Sequence, residues 1–473
     1  MKENIIGRQA EKKLLEEVVQ STKSEFVAIT GRRRVGKTFL VKEYFENCLT
    51  FQTAGMSNEN TSHQLKAFYQ DLLGSGLHND SVAPKDWIEA FALLRQLLES
   101  SPAKRKIVFL DELPWMDTPR SGFVAALEHF WNVWASARHD IVLIVCGSAT
   151  SWMMDKLINN HGGLHNRITR SIFLQPLTLG ESEAFLLRKG FMLSRYEEAV
   201  CYMVFGGIPY YLDLLEPGLT LTENIDSLLF RREGMLRHEF RNLYAALFKN
   251  SDDYIAVVKA LSKKGYGMTR DEIIRNTGIG SNGGLTKVLR NLEYCGFIRS
   301  YDVFKGKRGE SIIYQLVDFY TLFYFMFLQN SKTATGHYWA SLQGKPQFYT
   351  WAGLTFELLC LTHIAQIKSA LGISGIETLE YAWRDNSING AQVDMVIERA
   401  DPTINICEMK FSQNEYEITA EYERKLRDKL SAFSSLVKRK KSLQLTMITT
   451  YGVKRNTHSG IVAKSIVLDQ LFT

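Results

Sequence analysis

The sequence predicts a parallel α/β core, followed by a helical segment, a small domain of three helices and two strands, and a second α/β domain. Two observations indicate the core: an apolar run at 26–29 enters a glycine-rich loop and then a helix, and a second apolar run at 107–110 ends in two acidic residues. A third observation, the element order helix-strand-strand-strand-helix-strand between 348 and 449, indicates the last domain. The expected boundaries are 1–175, 176–248, 249–330 and 331–473.

Composition excludes several classes of protein. The 473 residues are 45% hydrophobic and 23% charged, which is typical of globular chains, and the net charge of +6 is compatible with a polyanionic partner. The six cysteines are scattered without a C-x-x-C pair, so neither a zinc site nor a disulfide framework is expected. No apolar signal region begins the chain, and the longest apolar run, 320–328, is about half a membrane span. We expect a soluble, cytoplasmic protein without a membrane partner.

The glycine-rich loop satisfies G-x-x-x-x-G-K-[ST], the phosphate-binding motif. Glycines let successive backbone N–H groups turn toward phosphates, and the following helix adds its positive N-terminal dipole. Lys37 is expected to reach the β- and γ-phosphates, and the Thr38 hydroxyl to ligate Mg²⁺. The residues expected to bind ATP are Gly31, Arg32, Arg33, Arg34, Val35, Gly36, Lys37, Thr38 and Phe39.

The acidic pair ends the strand at 107–110, at the sheet edge where ligands of open α/β folds bind. Asp111 is expected to hold Mg²⁺ and Glu112 to orient or polarise the attacking water. Ser148, after the next apolar strand at 141–145, is the predicted sensor of the γ-phosphate or the water, with Thr150 in reserve. Ser148 is equally compatible with a cap on the next helix.

Two arginines are weaker candidates. Arg167 is a candidate arginine finger, acting in cis or from a neighbouring subunit of a homo-oligomer, although loop arginines are mostly solvated. Gly7-Arg8 resembles the start of AAA+-type ATPase domains, where the pair borders the adenine pocket, or it is a plain helix start.

These parts in this order resemble the archaeal-type ATPase family, a branch near the STAND and AAA+ ATPases. The resemblance covers about 1–245 and includes GRRRVGKT, FLDELPWMD, CGSAT, Arg167 and GGIPYYL. It implies a P-loop NTPase core with a helical lid, cofactors ATP and Mg²⁺, and ATPase activity.

Residues 251–315 resemble a winged helix-turn-helix. In its third helix, LTKVLRNLEY, Leu285, Val288, Leu289 and Leu292 are expected to face inward, and Lys287, Arg290 and Asn291 outward. This helix would enter a DNA major groove while the basic wing at 305–309 touches backbone, or the domain would contact protein instead. The aromatic run 318–328 is expected to be a buried helix.

The last domain combines Asp394 on one strand with Glu408 and Lys410 two apart on the next. With the element order, this D…E-x-K pattern resembles the PD-(D/E)xK nuclease-like superfamily, a restriction-endonuclease-like α/β fold. The resemblance implies that Asp394 and Glu408 hold Mg²⁺, Lys410 stabilises developing charge, and Glu357, on a helix, completes the ligands. Val393 stands where the motif often has proline.

Open alternatives for this domain are an incidental charged strand pair and an inactive scaffold. The basic run 438–441 could follow a DNA backbone, or it is a solvated helix end. Together the parts predict an ATP-driven DNA-processing protein, with a role in genome defence or mobile-element biology. The alternatives are a non-catalytic ATP switch and a signalling ATPase that recognises protein.

Overall fold

The computed structural model describes residues 4–78, 81–148, 150–158, 164, 166–248, 250–280, 283–302, 312–329, 331, 337–384, 392–437 and 441–473. The chain divides into two compact units. The first is Met1–Pro176 with Tyr294–Gly296, and the second is Leu177–Glu293 with Phe297–Thr473.

The first unit contains a five-stranded parallel sheet with strand order β2-β3-β4-β1-β5. Every residue of β1, β3 and β4 is buried, as expected for central strands covered on both faces. Because β4 lies between β1 and β3, its carboxyl end lies between the ends of both neighbours. The strands are β1 Glu25–Thr30, β2 Leu49–Ala54, β3 Lys106–Asp111, β4 Ile141–Cys146 and β5 Arg170–Phe173.

Helices cover this sheet and bury a core rich in aromatic side chains. Phe68 packs edge-on against Trp87, with a ring-centroid distance of 5.4 Å, and Trp87 packs against Phe123 at 4.8 Å. The helices are α1 Gln9–Gln20, α2 Lys37–Phe45, α3 Thr61–Gly74, α4 Trp87–Ser100, α5 Leu113–Met116, α6 Phe123–His129 and α7 Thr150–Met153.

Strand β2 opens the segment 49–101, which otherwise contains the long helices α3 and α4. Within β2, Phe51 and Thr53 are buried, while Gln52 and Ala54 are exposed. This alternation fits an edge strand packed on one face. The strand is too short to show its period clearly beside two long helices.

The second unit begins with helices α8 Leu179–Lys189, α9 Arg195–Phe205, α10 Pro209–Asp213, α11 Leu221–Ile225 and α12 Glu239–Leu247. Helices α8, α9 and α11 each start with a capping box, in which a Ser or Thr and a Glu satisfy each other's backbone N–H groups. Such caps fix where each helix begins.

The next part contains a three-stranded antiparallel sheet with strand order β6-β8-β7. Its elements are α13 Ser251–Leu261, β6 Met268–Thr269, α14 Arg270–Thr277, α15 Gly283–Tyr294, β7 Ile298–Asp302 and β8 Ile312–Leu316. The residues predicted to form the wing, 305–309, lie outside the described residues.

Helix α15 buries Leu285, Val288, Leu289 and Leu292 and exposes Lys287 and Arg290. Asn291 was expected to face outward, and this expectation is wrong. It is 3% exposed, and its amide nitrogen donates to the Tyr254 hydroxyl at 2.8 Å. The hydrogen bond offsets the cost of burying a polar side chain.

The C-terminal part contains a mixed five-stranded sheet with strand order β13-β12-β11-β10-β9. Strands β9, β10 and β11 pair antiparallel, and β11, β12 and β13 pair parallel. The strands are β9 Thr378–Arg384, β10 Gln392–Arg399, β11 Thr403–Lys410, β12 Ser442–Thr449 and β13 Lys464–Val467. The helices are α16 Phe319–Phe323, α17 Tyr338–Leu342, α18 Pro346–Thr362, α19 Ile364–Ala370 and α20 Ala420–Ser434.

Glu357 lies on a helix as predicted, and this helix, α18, ends before His363, after which α19 begins. The His363 Nε2 atom accepts a hydrogen bond from the Leu179 backbone at 2.9 Å, and Nδ1 contacts the Leu359 carbonyl at 2.8 Å. Burial lowers the pKa of His363 to about 4, so the ring is neutral at pH 7.

Aromatic stacking adds a contact between α9 and the residues that follow β11 and β12. Tyr196 stacks on Phe411, with ring centroids 4.8 Å apart, and lies parallel to Tyr451 at 6.3 Å. Residues 177–205 and the C-terminal part therefore share one packed interior. Across the described stretches, the helices are too short or too polar to cross a bilayer.

Candidate functional site

The phosphate-binding loop connects β1 to α2 and needs glycine at both ends. Gly31 has φ 138°, and a Cβ there would lie 2.5 Å from the Leu174 carbonyl oxygen. Gly36 has φ 92°, a left-handed conformation that glycine adopts without strain. The loop is therefore held in a strongly curved form by its own sequence.

Lys37 begins α2 and is buried, with 6% of its surface exposed. Its Nζ atom donates to the carbonyl oxygens of Gly31 and Arg32, each at 3.0 Å. Burial lowers the pKa of Lys37, while Asp111 and Glu112 oppose this shift. Neutral carbonyls thus hold the ammonium group inside the loop.

Asp111 ends β3 beside the loop helix. The Thr38 hydroxyl donates to Asp111 Oδ2 at 2.7 Å. The other carboxylate oxygen accepts from the Cys146 thiol at 2.6 Å and from the Glu112 backbone N–H at 2.8 Å. Three neutral donors orient this carboxylate.

Glu112 has a left-handed backbone with φ 45°, which turns its side chain toward the end of β4. Its Oε2 atom accepts from the Ser148 hydroxyl at 2.8 Å and from the Ser148 N–H at 3.1 Å. A Cβ at Gly55 would lie 2.5 Å from the Glu112 carbonyl oxygen, so glycine is required there too. Ser148 is thus a direct partner of the second acid.

These residues fit a Mg²⁺–nucleotide complex. Mg²⁺ prefers oxygen ligands and binds through one or two protein oxygens together with substrate phosphates. Thr38 and Asp111 supply two such oxygens, 2.7 Å apart, next to the curved loop. The Thr150 side chain lies outside the described residues.

The remaining loop residues differ in exposure. Arg32 and Val35 are buried, Arg34 is half-buried with φ 73°, Arg33 is exposed, and Phe39 is 52% exposed. Their contacts with nucleotide remain predictions.

Arg8 is buried behind the loop. Its guanidinium donates to the Val35 carbonyl at 3.2 Å and to the Gln175 carbonyl at 2.6 Å. Arg8 therefore braces the loop from outside, and its contact with adenine stays a prediction.

Arg167 lies at the opposite edge of the sheet from the loop. The backbone N–H of Thr169 donates to the Phe26 carbonyl, near the start of β1, whereas the loop follows the end of that strand at Gly31. Five strand residues correspond to about 17 Å. The role of Arg167 as an arginine finger, in cis or from a neighbouring subunit, therefore stays a prediction.

The C-terminal acids form a second cluster around Glu408 on β11. Glu408 is 1% exposed, and its Oε1 atom accepts from Lys429 Nζ at 2.6 Å. Its Oε2 atom accepts from the Tyr422 hydroxyl at 3.1 Å and lies 3.9 Å from Lys410 Nζ. Burial raises the pKa of Glu408, and Asp394 adds to this shift.

Asp394 and Glu357 complete the cluster. Asp394 Oδ2 accepts from the Met409 backbone N–H at 3.0 Å. Burial, with the charges of Asp394 and Glu408, raises the pKa of Glu357 to about 8. Burial alone would lower the pKa of Lys410, but these three acids raise it. Lys410 is therefore a cation at neutral pH.

As built, the C-terminal cluster does not fit the predicted metal. Both Glu408 oxygens already have donors, one of them a cation. Within the ranges that the structure describes, no three His, Cys, Asp or Glu side chains are arranged to hold a metal ion.

Sequence reasoning missed Cys146, Tyr422 and Lys429. Cys146 directly follows the apolar run at 141–145, so its place at the strand end was a usable signal. Tyr422 and Lys429 are seven apart, two turns on one face of α20, but spacing alone does not say which strand that face meets.

Comparisons with known proteins agree with the first site. Residues 6–215 match the family model described as an ATPase domain predominantly from Archaea. Over 328 residues, the chain is 26% identical to the uncharacterized protein MJECL04 of Methanocaldococcus jannaschii, which covers 68% of each chain.

Two solved structures are among those similar to this chain. The Walker-type ATPase PABY2304 of Pyrococcus abyssi is 16% identical, with a TM-score of 0.48 over 69% of this chain and 97% of that chain. The Aeropyrum pernix ORC2 protein is 11% identical, with a TM-score of 0.40 over 76% and 96%. The match of the family model alone shows that residues 6–215 are similar to ATPase domains found mainly in Archaea.

Proposed function

We propose that the first unit binds ATP with Mg²⁺ and hydrolyses it. The observation that carries this proposal is the Thr38 hydroxyl, 2.7 Å from Asp111 Oδ2 at the end of the phosphate loop. It brings two expected Mg²⁺ ligands together, from β3 and α2, next to a lysine held inside the loop. The match of residues 6–215 to an ATPase family model supports the same function.

Each polar group then has a separate task. Lys37 and the loop N–H groups would bind phosphate oxygens, and bound Mg²⁺ would neutralise charge on the β- and γ-phosphates. Glu112 would orient the attacking water, with its carboxylate positioned by Ser148. Ser148 would link the γ-phosphate region to that carboxylate because it follows the strand between the loop and the acids.

The test separates binding from hydrolysis. Glu112→Gln should bind ATP with wild-type affinity and lose about 10²-fold in kcat, since only the carboxylate charge changes. Fluorescent-nucleotide binding and phosphate release would be measured on both proteins. Unchanged kcat would contradict the role of Glu112, and tight binding with very slow wild-type turnover would favour the ATP-switch alternative.

We further propose that the second unit engages DNA in a nucleotide-dependent way. The supporting observation is α15, which buries its apolar side and exposes Lys287 and Arg290 beside a three-stranded antiparallel sheet, an order expected of a winged helix. Duplex binding should weaken steeply with salt, and the double variant Lys287→Ala/Arg290→Ala should reduce that slope by about two. Duplex binding that does not weaken with salt would lack phosphate contacts. It would favour the alternative in which this domain recognises a protein.

A second candidate activity is phosphodiester cleavage by the C-terminal cluster. It is supported by Lys410 Nζ lying 3.9 Å from Glu408 Oε2, with Asp394 bonded to the backbone of the intervening residue, Met409. Single- and double-stranded DNA would be incubated with Mg²⁺ or Mn²⁺, with and without ATP. Cleavage that Asp394→Asn abolishes would establish the activity. No cleavage in any condition, with ATP binding intact, would favour a binding platform.

A further inference from the structure

We propose that Lys429 excludes divalent cations from the C-terminal carboxylate cluster, so that a metal binds there only when Lys429 leaves Glu408. This inference rests on the second candidate activity, because that activity is the reason to expect a metal. It concerns the residue that controls the site rather than the metal ligands themselves.

The geometry gives Lys429 the place that a cation would take. Its Nζ atom lies 2.6 Å from Glu408 Oε1, and Glu408 is almost fully buried. The other oxygen accepts from Tyr422. A metal on Oε1 would therefore have to displace the ammonium group, and a metal on Oε2 would have to displace the Tyr422 hydroxyl while the Lys429 charge stayed on the same carboxylate.

Lys429 is also able to leave. Its side chain is 22% exposed, so the ammonium group is near solvent, and its four-carbon stem is flexible. Helix α20 is anchored independently by buried Leu426 and Phe433. The side chain can therefore swing outward while the helix stays packed on the sheet.

The charge balance explains why Lys429 stays in place without metal. Two lysine ammonium groups lie at Glu408, Lys429 at 2.6 Å from Oε1 and Lys410 at 3.9 Å from Oε2. A lysine paired with a buried acid removes most of its attraction for a second cation. Removing Lys429 should expose that attraction.

The experiment measures Mn²⁺ binding to the full chain by calorimetry, without nucleotide. Lys429→Met and Lys429→Gln should bind Mn²⁺ at least about tenfold more tightly than wild type, since each removes one positive charge next to Glu408. Lys429→Gln retains an amide donor for the buried oxygen, so it covers the case in which Lys429→Met fails to fold. Adding Asp394→Asn to either variant should abolish the gain and so assigns it to this cluster.

Two matched control variants test whether the gain in Mn²⁺ affinity is specific to the charge of Lys429. Lys425→Met removes a lysine from the same helix that pairs with exposed Glu421 instead, and should leave Mn²⁺ affinity unchanged. Tyr422→Phe removes a neutral donor to Glu408 and should change affinity far less than Lys429→Gln.

Two results would overturn the proposal in distinguishable ways. Equal, Asp394-dependent Mn²⁺ affinity in wild type and both Lys429 variants would leave the metal site standing and remove the control by Lys429. No Asp394-dependent binding in any folded variant would remove the metal site together with its control. Neither result bears on ATP hydrolysis by the first unit.

Discussion

The two acid clusters of this protein differ in what holds their carboxylates. Among the described residues, Asp111 and Glu112 accept hydrogen bonds from two hydroxyls, a thiol and backbone N–H groups, all neutral. Glu408 accepts from a lysine and lies near another. The first cluster therefore keeps its negative charge available for a cation. In the second cluster, the charge of Glu408 is already paired with the Lys429 ammonium group.

The lysines show the same difference. Lys37 is buried, yet backbone carbonyls of its own loop hold its ammonium group, so its charge stays available for an anion. Lys429 is bound to a carboxylate. Similar residue types therefore make a site poised for ligand in one unit and a self-neutralised site in the other. The partners of an acid are thus more informative than its presence.

The largest expected effect tests whether the charge of Lys37 is reserved for ligand. Lys37→Ala should lower kcat/KM for ATP by about 10³-fold, because it removes the ammonium group that the Gly31 and Arg32 carbonyls hold inside the loop. The measurement is steady-state ATP hydrolysis, with exposed Lys42→Ala on the same helix as the control. If Lys37→Ala lowered kcat/KM no more than Lys42→Ala, the charge of Lys37 would not be reserved for ligand, and the contrast with Lys429 would fail.

The next effect concerns how much the buried acids of the C-terminal cluster lower the free energy of unfolding. Glu357 has a raised folded-state pKa of about 8 against an ordinary value of 4.5. The folded state holds this proton where the unfolded state releases it, so the free energy of unfolding falls as pH rises through this window. Glu357→Gln cannot ionise, and should be stabilised relative to wild type by about 2 kcal/mol at pH 8.5 and little at pH 4.

Urea unfolding at both pH values in chelator would measure this difference, with Glu421→Gln on the exposed face of α20 as control. A difference independent of pH would mean that Glu357 is not ionised by unfolding, and the second cluster would be less strained than its geometry indicates.

A smaller effect tests the neutral donors of the first cluster. Ser148→Ala removes the hydroxyl that donates to Glu112, and should lower kcat roughly tenfold with little change in ATP affinity. Ser148→Thr keeps the hydroxyl and should retain most activity. Equal losses in both variants would point to packing near Ser148 rather than to its hydrogen bond.

The smallest effect is expected at Cys146. Cys146→Ala removes a thiol donor from Asp111 while two other donors remain, so kcat should fall only about threefold. Cys146→Ser supplies a hydroxyl and should approach wild type. ATP hydrolysis at saturating Mg²⁺ measures both, and a large loss in Cys146→Ser would show that the thiol matters for packing instead.

The features that follow from local chemistry were the ones that sequence could predict. The loop sequence dictates its own conformation through Gly31 and Gly36, and continuous apolar runs identified β1 and β3. The positions of Asp111 and Glu112 at the sheet edge follow from strand direction alone. None of these features depends on how a helix packs against a segment that is distant in the sequence.

What escaped prediction depends on packing between distant segments. Asn291 is buried because Tyr254, 37 residues earlier, supplies an acceptor. Lys429 reaches Glu408 because of where α20 packs along β11, and no local sequence pattern indicates that position. The break at His363 likewise depends on the Leu179 N–H, 184 residues away. Such polar pairings become visible only in three dimensions.

The stacking of Tyr196 on Phe411 and the bond from Leu179 to His363 also bear on how this chain could have been assembled in evolution. A gene fusion that exchanged the C-terminal part at residue 331 would leave these aromatic and polar surfaces of α8 and α9 without their counterparts. Successful exchange of that part would require compensating changes on both helices. The helical segment and the C-terminal sheet are therefore expected to be inherited together.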